Sequence, residues 1–219
     1  MSADRAIFME EDYDTREVPM RTSAAMTAII LLTACRAPNS VGPVSVPLKY
    51  KLMASAGEFA ATPCAGVSNV RVSDSRADKK LGTRFVEGKA APAAVVTAAS
   101  DVAEWVQTGA LEALKRAGAT STKSNAATLN LSIDSIVTSE NVLHRSGYEG
   151  RIVISAELSR SNGASCWKER LEGFSENYGY SGSVENYQET LNHALDRAMI
   201  RMLNSPEFKK AICSCNSPV

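Results

Sequence analysis

A single strongly apolar run limits what the N-terminal part of this chain can form. It covers residues 24–34 and ends immediately before Cys35. A helix of about 11 residues, at 1.5 Å per residue, reaches roughly 16 Å, which is half of a ~30 Å hydrocarbon core. The run is therefore too short to span a membrane, and it has the length of the apolar region of an export signal.

The residues that close this run resemble the lipobox of bacterial lipoprotein signals. They are Leu32, Thr33, Ala34 and Cys35. In that class of signal a protease cleaves just before the cysteine, whose thiol carries a diacylglycerol. The resemblance implies a lipid on Cys35 and a mature chain that begins there. Each buried CH₂ contributes about 0.8 kcal/mol, so more than one acyl chain gives stable attachment. The alternative is a core helix with a buried cysteine.

The residues around the signal predict its limits and its destination. Residues 1–19 are rich in acids, whereas export signals carry positive charge before the apolar run, and Met20-Arg21 forms a conventional start. We therefore expect a signal peptide over 20–34 and a doubtful extension over 1–19, which could instead be a genuine long leader. Arg36, rather than an aspartate, follows the cysteine. This favours the outer membrane, with the domain in the periplasm.

The next residues predict a lipidated tether over 35–63, followed by a single domain over 64–215. Proline blocks helix continuation and glycine loosens the chain, and this stretch contains both, with an extended piece over 44–52. The prolines and glycines are Pro38, Gly42, Pro43, Pro47, Gly57 and Pro63.

Periodicity predicts the elements of that domain. Strands are expected over 67–73, 83–86, 129–134, 152–158 and 166–175, with a hairpin at Asn162-Gly163. Helices are expected over 100–117, with Ser100 or Asp101 as N-cap, and over 184–202, followed by a last turn or two over 207–212. The predicted fold class is α/β (α+β). It is a two-layer sandwich in the order strand(s), helix, three antiparallel strands, helix, with both helices on one face of the sheet.

With this layout the chain resembles the YajG-type family of bacterial outer-membrane lipoproteins. The resemblance rests on the lipobox, the strand-to-turn segment 70–82, the Asn162-Gly163 hairpin, and the closing helix followed by Pro206-Glu207-Phe208. It covers roughly Cys35 to Cys213. The acidic extension and the extra cysteines depart from the family pattern. The resemblance implies a small envelope lipoprotein and transfers no catalytic residue.

Two groups of residues are candidate partner contacts. Asp74, Arg76 and Asp78 combine two carboxylates with a cation, and the alternative is an ordinary turn in which aspartate accepts backbone hydrogen bonds. Tyr178 and Tyr180 flank a glycine before the last helix, where aromatic side chains can serve as contacts. The alternative for these tyrosines is a loop that packs over the core.

Four cysteines follow Cys35, and we expect disulfides because an exported domain meets oxidising conditions. They are Cys64, Cys166, Cys213 and Cys215. Four cysteines allow three pairings, and Cys213 and Cys215 could each reach either of the others. A C-x-C metal clip is the lesser alternative, because no third ligand is evident.

Composition and motifs narrow the function. A content of 44% hydrophobic residues supports a real core, and a formal net charge of zero without a dense basic stripe argues against nucleic acid. No nucleophile elbow, phosphate-binding loop, dinucleotide fingerprint or zinc spacing occurs, so we expect no enzyme, no cofactor and no metal. The expected function is a lipid-anchored, non-catalytic periplasmic domain that binds a protein or peptidoglycan partner. The alternative is an auxiliary lipoprotein subunit of an export or transport machine.

Overall fold

The computed structural model describes residues 41–123, 126–142 and 146–215. Within them the chain has a mixed α+β fold with one open seven-stranded sheet and three helices. The strands are β1 (Val44–Val46), β2 (Val67–Asp74), β3 (Gly82–Val86), β4 (Ala94–Ala98), β5 (Ala127–Val142), β6 (Ser146–Ser159) and β7 (Ser165–Gly179). The helices are α1 (Val102–Arg116), α2 (Val184–Asn204) and α3 (Pro206–Ser214). The predicted signal segment and Cys35 lie outside the described residues.

The long strand β5 organises the sheet. β2 and β3 both pair in parallel with one of its edges, β2 along its first half and β3 along its last residues. β6 pairs antiparallel with the other edge, and β7 pairs antiparallel with β6. β4 and β1 extend the sheet beyond β3, so the order is β1-β4-β3-β5-β6-β7, with β2 also beside β5.

Strands β5, β6 and β7 bury alternate side chains, as their period of two predicts. The buried set includes Leu129, Leu131, Ile133, Ile152, Ile154, Leu158, Trp167 and Leu171. Helix α2 packs on β6 and β7 and adds Leu191, Leu195, Ala198 and Met202 to the same core. The intervening side chains of β5–β7 lie on the other side of the sheet and are mostly exposed or half-buried. We call that side the open face.

Gly173 of β7 sets how closely α2 approaches the sheet. A Cβ atom at this position would lie 1.8 Å from the carbonyl oxygen of Ala194. Such a distance is far inside van der Waals contact, so any larger residue would push the helix away from the strand. Glycine is required here for close approach of two backbones.

Of the two N-cap candidates that the sequence offered for α1, Asp101 is the one that caps the helix. The Asp101 carboxylate accepts hydrogen bonds from the amides of Ala103 (2.7 Å) and Glu104 (3.2 Å), which satisfies donors that a helix leaves free at its start. The Trp105 indole then donates to Asn192 of α2 at 2.9 Å. This buried hydrogen bond links the two long helices.

The segment that precedes Cys64 is part of the fold, where the sequence predicted a tether up to residue 63. β1 pairs in parallel with β4, and Val46, Leu48 and Phe59 are buried. Its prolines keep the chain extended without preventing packing, and the carbonyl of Pro47 accepts a hydrogen bond from Gln188. The folded unit therefore starts before β1 rather than at residue 64.

The predicted mixing of helices and strands is confirmed, and the details differ in several ways. Four strands precede α1, of which β4 was not predicted from the sequence, and α3 follows α2 as a separate helix. The placement of both helices on one face stays a prediction. In the described part of the chain, no helix has the length and hydropathy needed to cross a bilayer.

Candidate functional site

The four cysteines of the domain form two disulfides. Cys64 pairs with Cys213, and Cys166 pairs with Cys215. Cys213 lies in α3 and Cys215 caps its C-terminal end, whereas Cys64 lies shortly before β2 and Cys166 near the start of β7. The two bonds therefore join α3 to the end of the sheet where β2 and β7 begin. We call this region, with the hairpin at residues 160–164, the distal end of the sheet. The thiols are thus used in the fold, and the described residues hold no group of three metal-ligating side chains.

In the predicted cluster of Asp74, Arg76 and Asp78, the first two residues form an ion pair with each other. Arg76 is buried and donates from Nε and Nη2 to the two oxygens of Asp74, at 2.8 and 2.9 Å. Its Nη1 donates to the carbonyl of Lys80 at 3.0 Å. The Arg76 guanidinium lowers the pKa of Asp74 to about 2. Asp78 remains exposed and caps the amide of Lys80 at 3.0 Å.

A second, buried ion pair lies at the opposite end of the sheet from the disulfides. Arg84 of β3 donates from Nε to Glu140 of β5 at 2.5 Å and from Nη2 at 3.3 Å. Its Nη1 donates to the carbonyl of Gly42 at 2.6 Å. Its Nη2 also donates to the hydroxyl of Ser181 at 3.1 Å. We call this end, with Gly42, Glu140 and residues 179–183, the proximal end.

Glu140 is fully buried and collects several further donors. It accepts from the hydroxyl of Tyr187 (2.6 Å), the hydroxyl of Ser181 (2.9 Å) and the amide of Gly182 (2.8 Å). Burial alone would raise the pKa of this carboxyl. The hydrogen bonds from Arg84, Tyr187 and the loop outweigh that effect and bring its pKa to about 2. The site is therefore an ion pair that is charged at neutral pH and that fixes the loop before α2.

The predicted contact residues Tyr178 and Tyr180 both lie at this proximal end. Their side chains are 72% and 87% exposed. The backbone that carries them is held, because the carbonyl of Tyr180 accepts from the hydroxyl of Tyr148 and from the side-chain amide of Asn186. The structure therefore brings the two tyrosines together on an ordered support, and it places Asp74 and Asp78 elsewhere.

The open face carries a groove of about 720 Å³. It crosses four strands, because the residues Arg71, Asn130, Glu157 and Lys168 stand in register. The adjacent row is Ser73, Ser132, Ser155 and Arg170. Three short serine side chains therefore form the floor of the groove, with long cationic side chains toward its β2 and β7 sides.

The charges of the groove are loosely paired. Lys168 lies 3.3 Å from Glu157, and Arg170 lies 3.8 Å from Asp134, which accepts from the hydroxyl of Ser155 at 2.7 Å. The cationic side chains are more than half exposed, so these pairs contribute little to stability. Such cations remain available to carboxylates of a ligand, while the serines and Asn130 can donate and accept hydrogen bonds.

Neither the Arg84–Glu140 pair nor the groove was predicted from the sequence. One signal for the pair was present, since Thr138 and Glu140 continue the inward-facing alternation of β5 after a bulge near Ser135. A charged residue at an inward position predicts a buried partner. The groove carried no such signal, because it depends on the parallel pairing of β2 with β5.

Comparison with known proteins places the chain among lipoproteins. A family model described as uncharacterized lipoprotein matches residues 61–213. A crystal structure of a protein from Xanthomonas campestris is similar at 12% identity and a TM-score of 0.49, covering 79% of this chain and 97% of that one.

Two further structures have lower scores. A protein from Caulobacter crescentus is 15% identical with a TM-score of 0.38, covering 49% of this chain and 80% of that one. A minor lipoprotein from Acinetobacter baumannii is 13% identical with a TM-score of 0.36, covering 61% and 94%. No curated protein matches the chain. The narrower YajG-type assignment stays a prediction. The family match spans well over half of the 219 residues, and the chain therefore belongs to this family of lipoproteins.

Proposed function

We propose that this protein is a lipid-anchored lipoprotein of the bacterial outer membrane, with a non-catalytic periplasmic domain that binds a protein or cell-wall partner. Membership in a lipoprotein family and the lipobox-like residues that end at Cys35 support the anchor. The groove on the open face is the observation that carries the binding role.

The groove suits an extended, carboxylate-bearing ligand. Its serine floor leaves room for a ligand backbone to approach the sheet, and Arg71, Lys168 and Arg170 supply cations at either side. Charge-assisted hydrogen bonds from arginine and lysine to carboxylates are stronger than neutral ones. Peptides and the stem peptides of peptidoglycan both offer carboxylates and backbone hydrogen-bonding groups.

The anchor is tested through Cys35. In cells fed a labelled fatty acid, the wild-type chain should take up label and stay with the membrane fraction. Cys35→Ala should do neither, because it lacks the thiol that carries the lipid. Continued labelling of the alanine variant would contradict lipidation at this residue.

The groove is tested by placing a photocrosslinking amino acid at Ser132 in the envelope of the producing cell. We expect crosslinked products from Ser132 and far fewer from Leu111, an exposed control position on α1. Adding Lys168→Glu and Arg71→Glu should reduce the yield, while the exposed Lys210→Glu on α3 should not. Equal yields at Ser132 and Leu111 would contradict a binding groove.

The crosslinked product also separates the two candidate functions. Envelope fragments or a monomeric binding partner support the leading proposal. A stoichiometric membrane transporter subunit would instead support the auxiliary-subunit alternative. The chemistry of the groove is compatible with a protein surface in both cases.

A further inference from the structure

The two tyrosines of the proximal end are exposed although their backbone is fixed. Tyr178 is the penultimate residue of β7, and its ring lies beside Gly147 of β6, 3.6 Å from where a Cβ of residue 147 would stand. Tyr180 is 87% exposed, while its carbonyl is bound to Tyr148 and Asn186. Large amphipathic side chains presented on an ordered loop are typical of a contact surface.

The same end receives the chain from the predicted anchor. The Arg84 guanidinium binds the carbonyl of Gly42 through Nη1 (2.6 Å) and the hydroxyl of Ser181 through Nη2 (3.1 Å). The Arg84 side chain thus contacts both the segment just before β1 and the loop that carries Tyr180. Cys35 and Gly42 are seven positions apart, and at 3.3–3.6 Å each these seven steps span at most about 25 Å.

The length of the sheet, compared with the length of the tether, decides which end of the sheet the tether can hold near the bilayer. Strand β7 has 15 residues, and at about 3.3 Å per residue it is roughly 50 Å long. The disulfide-bearing distal end is therefore about twice as far from Gly42 as the tether can extend. A lipid on Cys35 would therefore hold the proximal end, with Tyr178 and Tyr180 at its edge, within about 25 Å of the membrane.

We propose that Tyr178 and Tyr180 dock into the headgroup region of the bilayer that holds the lipid on Cys35. This inference rests on the lipid anchor proposed above. Tyrosine is enriched at membrane interfaces, because its ring is apolar and its hydroxyl stays hydrated. Docking at this end leaves the open-face groove exposed to the periplasm, where a partner can reach it.

The charges near the tyrosines indicate which lipids suit this surface. Glu149 and Glu176 are paired in register and exposed, two residues back from Tyr178 along the sheet, or about 7 Å. These carboxylates would repel anionic headgroups. The docking is therefore expected on zwitterionic lipid, driven by the aromatic rings.

The test uses the full lipidated protein in phosphatidylcholine vesicles that contain brominated lipid, which quenches tryptophan on contact. Tyr180→Trp adds one reporter at the docking surface, and Phe174→Trp adds a matched reporter on β7, 37% exposed on the open face. The native Trp105 and Trp167 are buried and supply a common background. A thermal melt of each variant verifies that it is folded.

We expect loss of most of the fluorescence added by Tyr180→Trp, with a blue shift, and little loss for Phe174→Trp. Equal quenching of the two reporters on protein that carries its lipid would overturn the docking inference and leave the anchor standing. Absence of lipid on Cys35 would overturn the anchor, and the docking inference with it. Vesicles with added anionic lipid should give weaker quenching of Tyr180→Trp.

Discussion

Glu140 keeps its negative charge in a fully buried position because nearly every direction around its carboxylate is occupied by a donor. Arg84 supplies the opposite charge, and Tyr187, Ser181 and Gly182 supply neutral donors. Burial and the nearby carboxylate raise the pKa of Tyr187, so its hydroxyl stays a donor. The residues that meet here come from three distant parts of the chain, and the pair therefore stabilises their arrangement.

Removing Glu140 should be costly. Glu140→Ala leaves Arg84 buried without its charge partner, and breaking a buried pair typically costs about 3–5 kcal/mol. We expect a loss of that order in the free energy of unfolding, measured by urea denaturation with the disulfides intact. The exposed Glu87→Ala is the control and should change the same quantity by no more than about 0.5 kcal/mol. Similar losses for both variants would contradict a structural role for the pair.

The same residue predicts acid sensitivity. The pKa of Glu140 is about 2 in the folded protein, below its ordinary value of 4.5. A lowered folded pKa gives stability that is complete above the ordinary value and is lost as pH falls toward about 2. The change is roughly 3 kcal/mol, since one pKa unit corresponds to about 1.36 kcal/mol. Asp74 titrates over the same window.

Urea denaturation at pH 6 and at pH 2.5 measures this effect. The wild type should lose more of its unfolding free energy on acidification than Glu140→Gln, which has no carboxyl to protonate at this position. Because Asp74 remains in both proteins, the variant should retain part of the acid sensitivity. Equal losses in the two proteins would argue against a depressed pKa at Glu140.

At the scale of elements, α2 carries two different stripes. One is the apolar stripe that the sequence predicted, and the other is polar and consists of Gln188, Asn192 and Asp196 at intervals of four. Gln188 donates to the carbonyl of Pro47, and Asn192 donates to the carbonyl of Lys49 at 3.2 Å. Residues four apart on a helix lie on one face. This polar stripe holds the segment that follows β1 against the helix.

Asp196 accepts more hydrogen bonds from this segment than the other two residues of the polar stripe are described as making with it. It is buried and accepts from the hydroxyl of Tyr50 (2.6 Å) and the amides of Met53 and Ala54 (both 2.8 Å). Asp196→Ala removes the acceptor for two backbone donors, and each unsatisfied buried group costs about 1–3 kcal/mol.

Amide hydrogen exchange of residues 47–54 reports the consequence directly. Asp196→Ala should increase exchange at Met53 and Ala54 by about tenfold or more, because a loss of 1.4 kcal/mol in local stability is a factor of ten. Asp134→Ala, on the open face, should leave this segment protected. Unchanged exchange at Met53 and Ala54 in the Asp196 variant would show that packing alone holds the segment.

At the scale of the whole molecule, the two ends of the sheet are fastened by different chemistry. The proximal end has the Arg84–Glu140 pair, and the distal end has the two disulfides, which tie α3 to the segment just before β2 and to β7. Disulfides suit an oxidising compartment. The chain is thus closed at the end that lies far from the proposed membrane surface.

The disulfides should differ in their contribution to stability. Cys64–Cys213 has a sequence separation of 149 residues and Cys166–Cys215 one of 49. In the chain-entropy model the longer loop contributes about 1 kcal/mol more. We expect the double variant Cys64→Ala/Cys213→Ala to lose more unfolding free energy than Cys166→Ala/Cys215→Ala, as measured by denaturant midpoints. The reverse order would indicate that packing around Trp167 outweighs loop entropy.

Local signals were sufficient for much of this protein. The short apolar run before Cys35, the Asp101 cap of α1, the Asn162-Gly163 hairpin and the period-two strands β5–β7 are properties of residues near one another in sequence. Each of them depends on neighbours within a few positions, such as a side chain that caps its own helix. The sequence alone therefore determined the class of fold, and its lipobox-like residues assign the proposed anchor to Cys35.

Long-range pairing was decided by the tertiary structure. Val46 and Leu48 are core residues because β1 pairs with β4. Glu140 can be buried with its charge because the pairing of β3 with β5 places Arg84 beside it. The groove exists because β2 pairs in parallel with β5. Of the three possible disulfide pairings, the position of α3 determines the one that forms. Periodicity specifies which side of a strand is apolar, but the partner across the sheet depends on contacts between residues far apart in the chain.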